Sequence, residues 1–413
     1  MAMTSDVYRT QFASALKYHY PEQVMARLCF RKENILKYLN KIKVPGGGRQ
    51  DMWGIHTYPA DGSRAAAETA QLITPRAEQF TDAYVTLKNR YTRRFISSAV
   101  LDDSKSDATA LIKAATWYPR EIAREHAFSL ARNLWYTGGT YFGALGICST
   151  TSASTTINVK STFNFRRIFR NMKFDVKAGA TGSDVSNGGS LTISSYAEST
   201  CTITFSETTT ISTTADTDVI AVEDEIYAGS YASYGWNSLP MLVGEGNVCG
   251  VTVSSYPEYK SKVYSSVGTL TLSDIQKAVD WVEGHSEGKL TALHTSPEVI
   301  IKYADIFLGD VRLTQAELAN VKIGYPTQLA YRGGSMGLIP IEKDHLAPLD
   351  EIYLVNWDSI RFYNSAFMKW FDEDGSYLHR EAGYMNYELL FYSRGDLGIH
   401  NREGCAALTG ITV

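Results

Sequence analysis

Hydrophobic and polar positions change their period several times along this chain, and each change marks a different kind of element. In the first 45 residues Phe12, Leu16, Val24, Leu28, Ile35 and Leu39 recur at roughly helical spacing, which predicts an arm. The run "VPGGGRQDMWGIHTYPADG" then breaks the pattern: Gly46 to Gly48 and Pro59 to Gly62 predict sharp changes of direction. Beyond it Tyr84, Val85 and Leu87, then Tyr91, Phe95 and Ile96, alternate as strand residues do. Residues 46–100 therefore read as a two-armed excursion with too few apolar positions for a core of its own. Such a segment needs another surface to lie on.

The next change is to helix. "DDSKSD" offers N-cap candidates, and "ATALIKAATWYPREIAREHAFSLARNLWYTGG" is rich in good helix formers. Pro119 predicts a kink or restart, and Gly138-Gly139 a stop. From 148 to 235 Ser and Thr alternate with Ile, Val, Phe and Tyr, the pattern of short antiparallel strands with polar outer faces. From about 236 the chain turns α/β. "LTLSDIQKAVDWVEG" predicts a helix capped by Ser273 and stopped by Gly284, and "LTALHTSPEVIIKYADIF" a strand, then a helix from Pro297. "MGLIPIEKD", "DEIYLVNWDSIRFYNS" and "YMNYELLFYSRGDLGI" predict strands, and "FMKWFDEDGSYLHRE" a hairpin turning at Asp374-Gly375.

Composition narrows the class without naming a reaction. With 413 residues there is room for two or three cores, and 44% hydrophobic against 20% charged residues describes a globular chain. The net charge of −4 gives no overall drive toward nucleic acid or membrane. Basic residues nonetheless cluster in the arm: Arg9, Lys17, Arg27, Arg31, Lys32, Lys37, Lys41, Lys43 and Arg49 against Asp6, Glu22 and Glu33. Cys29, Cys148, Cys201, Cys249 and Cys405 are scattered and form no C-x-x-C, which fits reduced, mostly buried thiols. The chain shows no signal-peptide pattern and no apolar run long enough to span a membrane.

One stretch looks catalytic. Gly333-Gly334-Ser335-Met336-Gly337 reads G-x-S-x-G, and Asp372, Asp374, His379 and His400 follow in the order of a serine-hydrolase triad. A nucleophile elbow needs a helix after the serine, whereas "MGLIPI", with Pro340 between β-branched Ile339 and Ile341, predicts a strand. The motif reads as a glycine-rich turn. His126 lacks H-E-x-x-H, "DEDG" lacks the remaining calcium-loop ligands, and there is no phosphate loop. No catalytic, metal or cofactor site is expected. The two arginine clusters, Arg166-Arg167-Arg170 and Arg90-Arg93-Arg94, sit beside aromatics and suit ion pairs with neighbouring chains or contacts with nucleic acid.

The order of these elements resembles the major capsid protein of tailed bacteriophages, the Hong-Kong-ninety-seven-type shell fold. "AYVTLKNRYTRRFISSAVLDDS" resembles the returning strand of that family's extended loop, and "DEIYAGSYASYGWNSLPMLVGEGN" its passage into the axial domain. "GLIPIEKDHLAPLDEIYLVNWDSIRFY" and "LFYSRGDLGIHNREGCAALTGI" resemble its late strands. The resemblance implies an α+β chain with these parts: N-terminal arm 1–45, extended loop 46–100, peripheral domain with spine helix 101–147, β-rich insert 148–235, axial domain 236–350, peripheral strands 351–395 and a return to the axial domain 396–413. It implies a non-enzymatic protein that assembles with itself as hexamers and pentamers into an icosahedral virion shell in the host bacterial cytoplasm. Portal, scaffolding and decoration proteins are the implied partners, with double-stranded DNA on the inner face and no membrane. Arg49, Trp53, His56, Tyr58, Arg90, Arg93 and Arg94 are the inter-subunit contact candidates, and Lys88 with Asn356 or Asn364 match by type the crosslinking pair of some relatives. An encapsulin-type shell, a hydrolase using Ser335 and a trimeric β-rich tail adhesin are the rival readings.

Overall fold

The computed structural model describes residues 35–44, 49–63, 65, 68, 71, 74, 76–106, 114–137, 143–149, 151, 155–178, 185, 190–207, 214–215, 217–223, 225, 235–308, 329–333, 336–372, 376, 378–381 and 383–413. Most of the basic arm, Cys29, Gly138-Gly139, Ser335 and Asp374 lie outside them.

In chain order, a 3-10 turn (Ile35–Tyr38) leads to β1 (Lys41–Lys43), and β2 (Gln50–Tyr58) and β3 (Gln79–Thr86) follow. Then come β4 (Lys88–Ser97), α1 (Ser98–Ser106) and α2 (Ala114–Leu134). The Ser/Thr-rich stretch holds β5 (Gly146–Ile147), β6 (Thr156–Asn158), β7 (Lys173–Lys177), β8 (Leu191–Ala197), β9 (Thr202–Phe205) and β10 (Val219–Val222). The last part holds α3 (Leu239–Leu242), β11 (Lys262–Tyr264), α4 (Leu272–His285), β12 (Ala292–Thr295), α5 (Pro297–Leu308), β13 (Leu329–Arg332), β14 (Leu338–Lys343) and β15 (Ile352–Val355). It closes with β16 (Ile360–Trp370), β17 (Leu378–Arg380), β18 (Asn386–Ile399) and β19 (Ala406–Leu408).

The first sheet is built around β18. Along one edge β4 pairs antiparallel, from Asn386↔Ser97 to Gly395↔Lys88. On the other edge lie both β16 (Trp370↔Phe391) and β17 (Leu378↔Leu389). So β16 and β17 do not form the expected hairpin about Asp374-Gly375; they follow one another along the same edge, and the hairpin is β17–β18. β4 also departs from the sequence reading, being a full member of this sheet and not part of the excursion. Its apolar end, with Ile96 buried, meets Val100, Tyr118, Ile122, Leu389 and Phe391 in one cluster, which seats α2 on the sheet. Pro119 lies in the second turn of α2. It removes one backbone bond near the helix start, and the helix runs on to Leu134.

The Ser/Thr-rich stretch forms an antiparallel sheet in the order β5-β10-β7-β8-β9-β6. Its alternation points Ile157, Phe174, Val176, Leu191, Ile193, Ile203, Phe205 and Ile220 into one core and leaves Thr156, Asn158, Thr202 and Thr204 on the outer face. The third sheet, β11-β19-β15-β12-β14-β13, is mixed. α4 covers it with Ile275, Ala278, Val279 and Val282, the i, i+3, i+4, i+7 stripe of an amphipathic helix. Burying its three branched residues stabilises by about 2 kcal/mol each. The cap is Thr271, whose hydroxyl accepts from Asp274 N, and not Ser273; Gly284 lies inside the last turn.

The ribbon and its basic flank as a candidate assembly surface

Among the described residues, β2 and β3 pair only with each other, as a two-stranded ribbon. An isolated hairpin is marginal in water, so its root needs support. The period of two supplies it. Trp53, Ile55, Ala83 and Val85 point inward, and all four join the main core or pack against it. Trp53 stacks on Tyr363 (ring centres 5.5 Å apart) and on His400 (4.7 Å). Gly398 of β18 makes the seat: a Cβ there would lie 2.6 Å from Trp53 Cη2 and 3.0 Å from Val85 Cγ2. The backbone of β3 is tied as well, Tyr84 N donating to Cys249 O at 2.9 Å. Gly250, at φ +75°, lies under the Tyr84 ring, where a Cβ would fall 2.1 Å from Cε1.

The opposite face of the ribbon carries exposed aromatic and Met side chains, with Asp82 and Gln50 among them. Register places Met52 beside Tyr84 and His56 beside Phe80. Their exposures are 58% for Met52, 65% for Phe80 and 40% for Tyr84, with Tyr58 at 38% further along. Among the described residues, only Gly250, under one side of the Tyr84 ring, approaches this strip. It has the chemistry of a contact surface: aromatic and Met side chains on a rigid ladder.

The sequence-derived contact residues therefore divide. His56 and Tyr58 lie on the exposed face, and Arg49 is exposed at the root, its carbonyl accepting from Leu87 N at 2.9 Å. Trp53 faces its own core. The arginines of β4 are engaged within the chain. Arg90 is part-buried and donates through Nη2 to Glu225 (2.6 Å) and Ser129 (2.7 Å). Arg93 forms a fork with Glu388 and lies 4.3 Å over the Phe95 ring. Arg94 pairs with Glu125 at 2.7 Å. Between these pairs His126, fully buried, bridges Thr92 (3.0 Å) and Ser393 (2.8 Å). Burial, with Arg90 adding, holds its imidazole down at about 4, so it is neutral. α2 is thus docked on β4 and β18 partly through a buried polar line.

The residues matched by type to a crosslink are also occupied. Lys88 Nζ lies 3.1 Å from Asp396, which is 1% exposed, and donates to Gly235 O at 2.8 Å. Asn356 is buried, and Asn364 Nδ2 reaches the Ile42 and Phe362 carbonyls at 3.3 Å. At the G-x-S-x-G stretch, β14 begins at Leu338 and pairs with β12 and β13, so a strand follows the motif. His379 Nε2 lies 2.9 Å from Phe371 O, and His400 Nε2 lies 2.6 Å from the Tyr363 hydroxyl. Among the described residues no group of three or more His, Cys, Asp or Glu could hold a metal, and no helix is long and apolar enough to cross a membrane.

Sequence reasoning missed the residues that hold the ribbon root. For Gly398 a signal was present: glycine inside a strand marks close approach of another group. Arg402 carried none. It is fully buried and gives its donors to carbonyls of one loop, among them Leu242 (3.1 Å), Gly246 (2.7 Å) and Tyr259 (3.0 Å), which fastens residues 241–259 beneath the ribbon.

With this geometry in hand, comparison with solved structures is decisive for the fold. The chain is similar to a protein of the cyanophage A-1(L) capsid asymmetric unit, at 10% identity and a TM-score of 0.59, over 98% of this chain and 99% of that one. It is similar also to the capsid of an empty GTA particle, at 10% identity and a TM-score of 0.52, over 100% of both chains. No family model matches the chain, and no curated protein matches it. The likeness runs end to end, and the fold it shows is the α+β capsid fold of the Hong-Kong-ninety-seven type.

Proposed function

We propose that the chain is the major capsid protein of a tailed-phage-type virion, a structural subunit whose work is to associate with copies of itself. The observation that carries this reading is the ribbon: it is rooted on its own body by Trp53, Ala83 and Val85, yet holds Met52, Tyr58, Phe80 and Tyr84 out to solvent. In this reading the outer face of the ribbon is buried by a neighbouring subunit. His56, Tyr58 and Arg49 meet that neighbour, while Trp53, Arg90, Arg93 and Arg94 fix the angle at which the ribbon leaves. The third sheet lies toward the axis of a hexamer or pentamer, and the first sheet with α2 lies at the periphery. Scaffolding, portal and decoration proteins and packaged double-stranded DNA are the further partners of this role. Many modest contacts repeated around a closed shell supply its stability through multivalency.

The test is to replace Met52 and Phe80 together with Asp. The free subunit should keep its unfolding midpoint, and shells or capsomers should be lost in negative-stain microscopy and mass photometry. Normal particles from the double variant would overturn the assignment of this face. A wild-type chain that stays monomeric under every salt condition would overturn the shell reading itself.

A further inference from the structure

Where the third sheet, the β5 edge of the insert and the end of α2 meet, they enclose a cavity of about 500 Å³. Among the described residues the charges on its walls form no ion pair with one another. Glu351, just before β15, is part-buried and lines it, with the part-buried Asp350 beside it. The Glu351 carboxylate accepts a hydrogen bond from the Tyr353 hydroxyl. Lys160 and Arg167 are the cations on the wall. Arg167 is 3% exposed; its Nε donates to Leu346 O and its Nη1 to Leu145 O, both at 2.8 Å, while Nη2 has no partner among the described residues. Trp135, fully buried on the same wall, has an unpartnered indole N–H. Two unused donors and two carboxylates thus share a space with room for several waters. Among the described residues no cation lies within ion-pair distance of Glu351. Partial desolvation of a carboxylate with no cation in contact favours its protonated form.

We propose that this cavity is a proton-operated seam: with Glu351 neutral, β15, the Phe165–Arg167 turn and β5 stay packed around it, and ionisation of Glu351 draws water in and loosens the insert from the third sheet. The charged and titratable groups facing Glu351 across the cavity are Asp350, Tyr353, Arg167 and Lys160. Burial pushes Glu351 up to about 7, the like charge of Asp350 adds to this, and Tyr353 and Arg167 oppose it. Burial raises Asp350 too. The direction of the linkage follows. The folded chain keeps a proton that the unfolded chain releases near 4.5. The stabilisation is therefore full below pH 4.5, declines as pH rises, and is gone above about 7.

The experiment is urea unfolding of the full-length chain between pH 4.5 and 8, beside Glu351→Gln and Tyr353→Phe. Taking the ratio to Glu351→Gln at each pH removes the histidine contributions. The wild-type folding constant, so normalised, should fall by roughly two orders of magnitude across this range, about tenfold for each pH unit between the two pKa values. Tyr353→Phe should carry the fall to higher pH, because it removes the hydrogen bond that favours the anion. Backbone hydrogen exchange at residues 144–148 and 163–167 should quicken above pH 7 in the wild type relative to Glu351→Gln. Parallel pH profiles, or equal exchange in the two proteins, would overturn the proposal. Should Glu351→Gln fail to fold, a Tyr353→Phe profile superimposable on the wild type would overturn it equally.

Discussion

Gly398→Ala adds one methyl group at the root of the ribbon, and its effect has a sign that decides the argument. Gly398 lies in a strand, where alanine normally stabilises by about 0.5–1 kcal/mol because it loses less backbone freedom on folding. Here the new Cβ would stand 2.6 Å from Trp53 Cη2 and 3.0 Å from both Tyr363 Cε2 and Val85 Cγ2. Val85 is 2% exposed and held in the β3 ladder, and Tyr363 is 4% exposed in β16, so neither can retreat. Trp53 must leave the seat. Overpacking of this kind costs roughly 1–3 kcal/mol. Full removal of a buried Trp costs about 3–5 kcal/mol, and Trp53 is only half-buried, so a net loss near 2 kcal/mol is expected. The assay is denaturant unfolding of free subunits followed by Trp fluorescence, with hydrogen exchange read over residues 50–58 and 79–86. Trp53→Ala should be destabilised by a similar amount. The double variant should lose less than the sum, with a coupling of about 1–2 kcal/mol, because the alanine then fills space that Trp53 has vacated. Subunits with a loosened root should also assemble more slowly by light scattering. A neutral or stabilising Gly398→Ala, with unchanged exchange in the ribbon, would refute the seat.

Four further outcomes follow from the same structure. Arg402→Ala should cost about 3–5 kcal/mol in denaturant unfolding, because it strands several buried carbonyls of residues 241–259 at once. Glu225→Gln should cost about 3 kcal/mol by leaving the part-buried Arg90 charge uncompensated, whereas Arg93→Ala, on a half-exposed pair, should stay within about 1 kcal/mol. His126 and His294 are both held by burial at about 4, below the ordinary 6.5. The unfolded chain takes up their protons first, so the stability they confer is full above pH 6.5 and drains as pH falls to about 4. Each contributes about 3 kcal/mol to that loss, which unfolding at pH 7 and pH 4.5 with a His126→Gln control will measure. Cys148, Cys249 and Cys405 are buried, with burial raising each thiol, and should resist alkylation in the folded chain, while the partly exposed Cys201 should react, as thiol mass labelling will show.

What could be read from the chain and what could not differ by the range of the interaction that decides each element. The stripe Ile275, Ala278, Val279, Val282 is a local pattern and locates α4 to within a residue or two; the Thr-rich alternation likewise yields an antiparallel sheet. The pairing of β4 with β18, by contrast, is chosen across nearly 300 residues. Nothing local in "NRYTRRFIS" distinguishes an excursion from a sheet member, and β4 is decided by the 14-residue β18, which alone is long enough to hold β4 on one edge and β16 and β17 on the other. The same limit explains the arginines. Arg90, Arg93 and Arg94 look like a basic patch because their acids, Glu225, Glu388 and Glu125, are remote in sequence. Once folded, the patch is neutralised. The strip Met52, Phe80, Tyr84 has no such answer among the described residues: Met52 faces Tyr84 and Phe80 faces His56 across the ribbon, and all stay exposed. A sequence read locally overstates polar surface and understates apolar surface, because charges find remote partners within the fold, whereas the outer face of this ribbon stays exposed among the described residues.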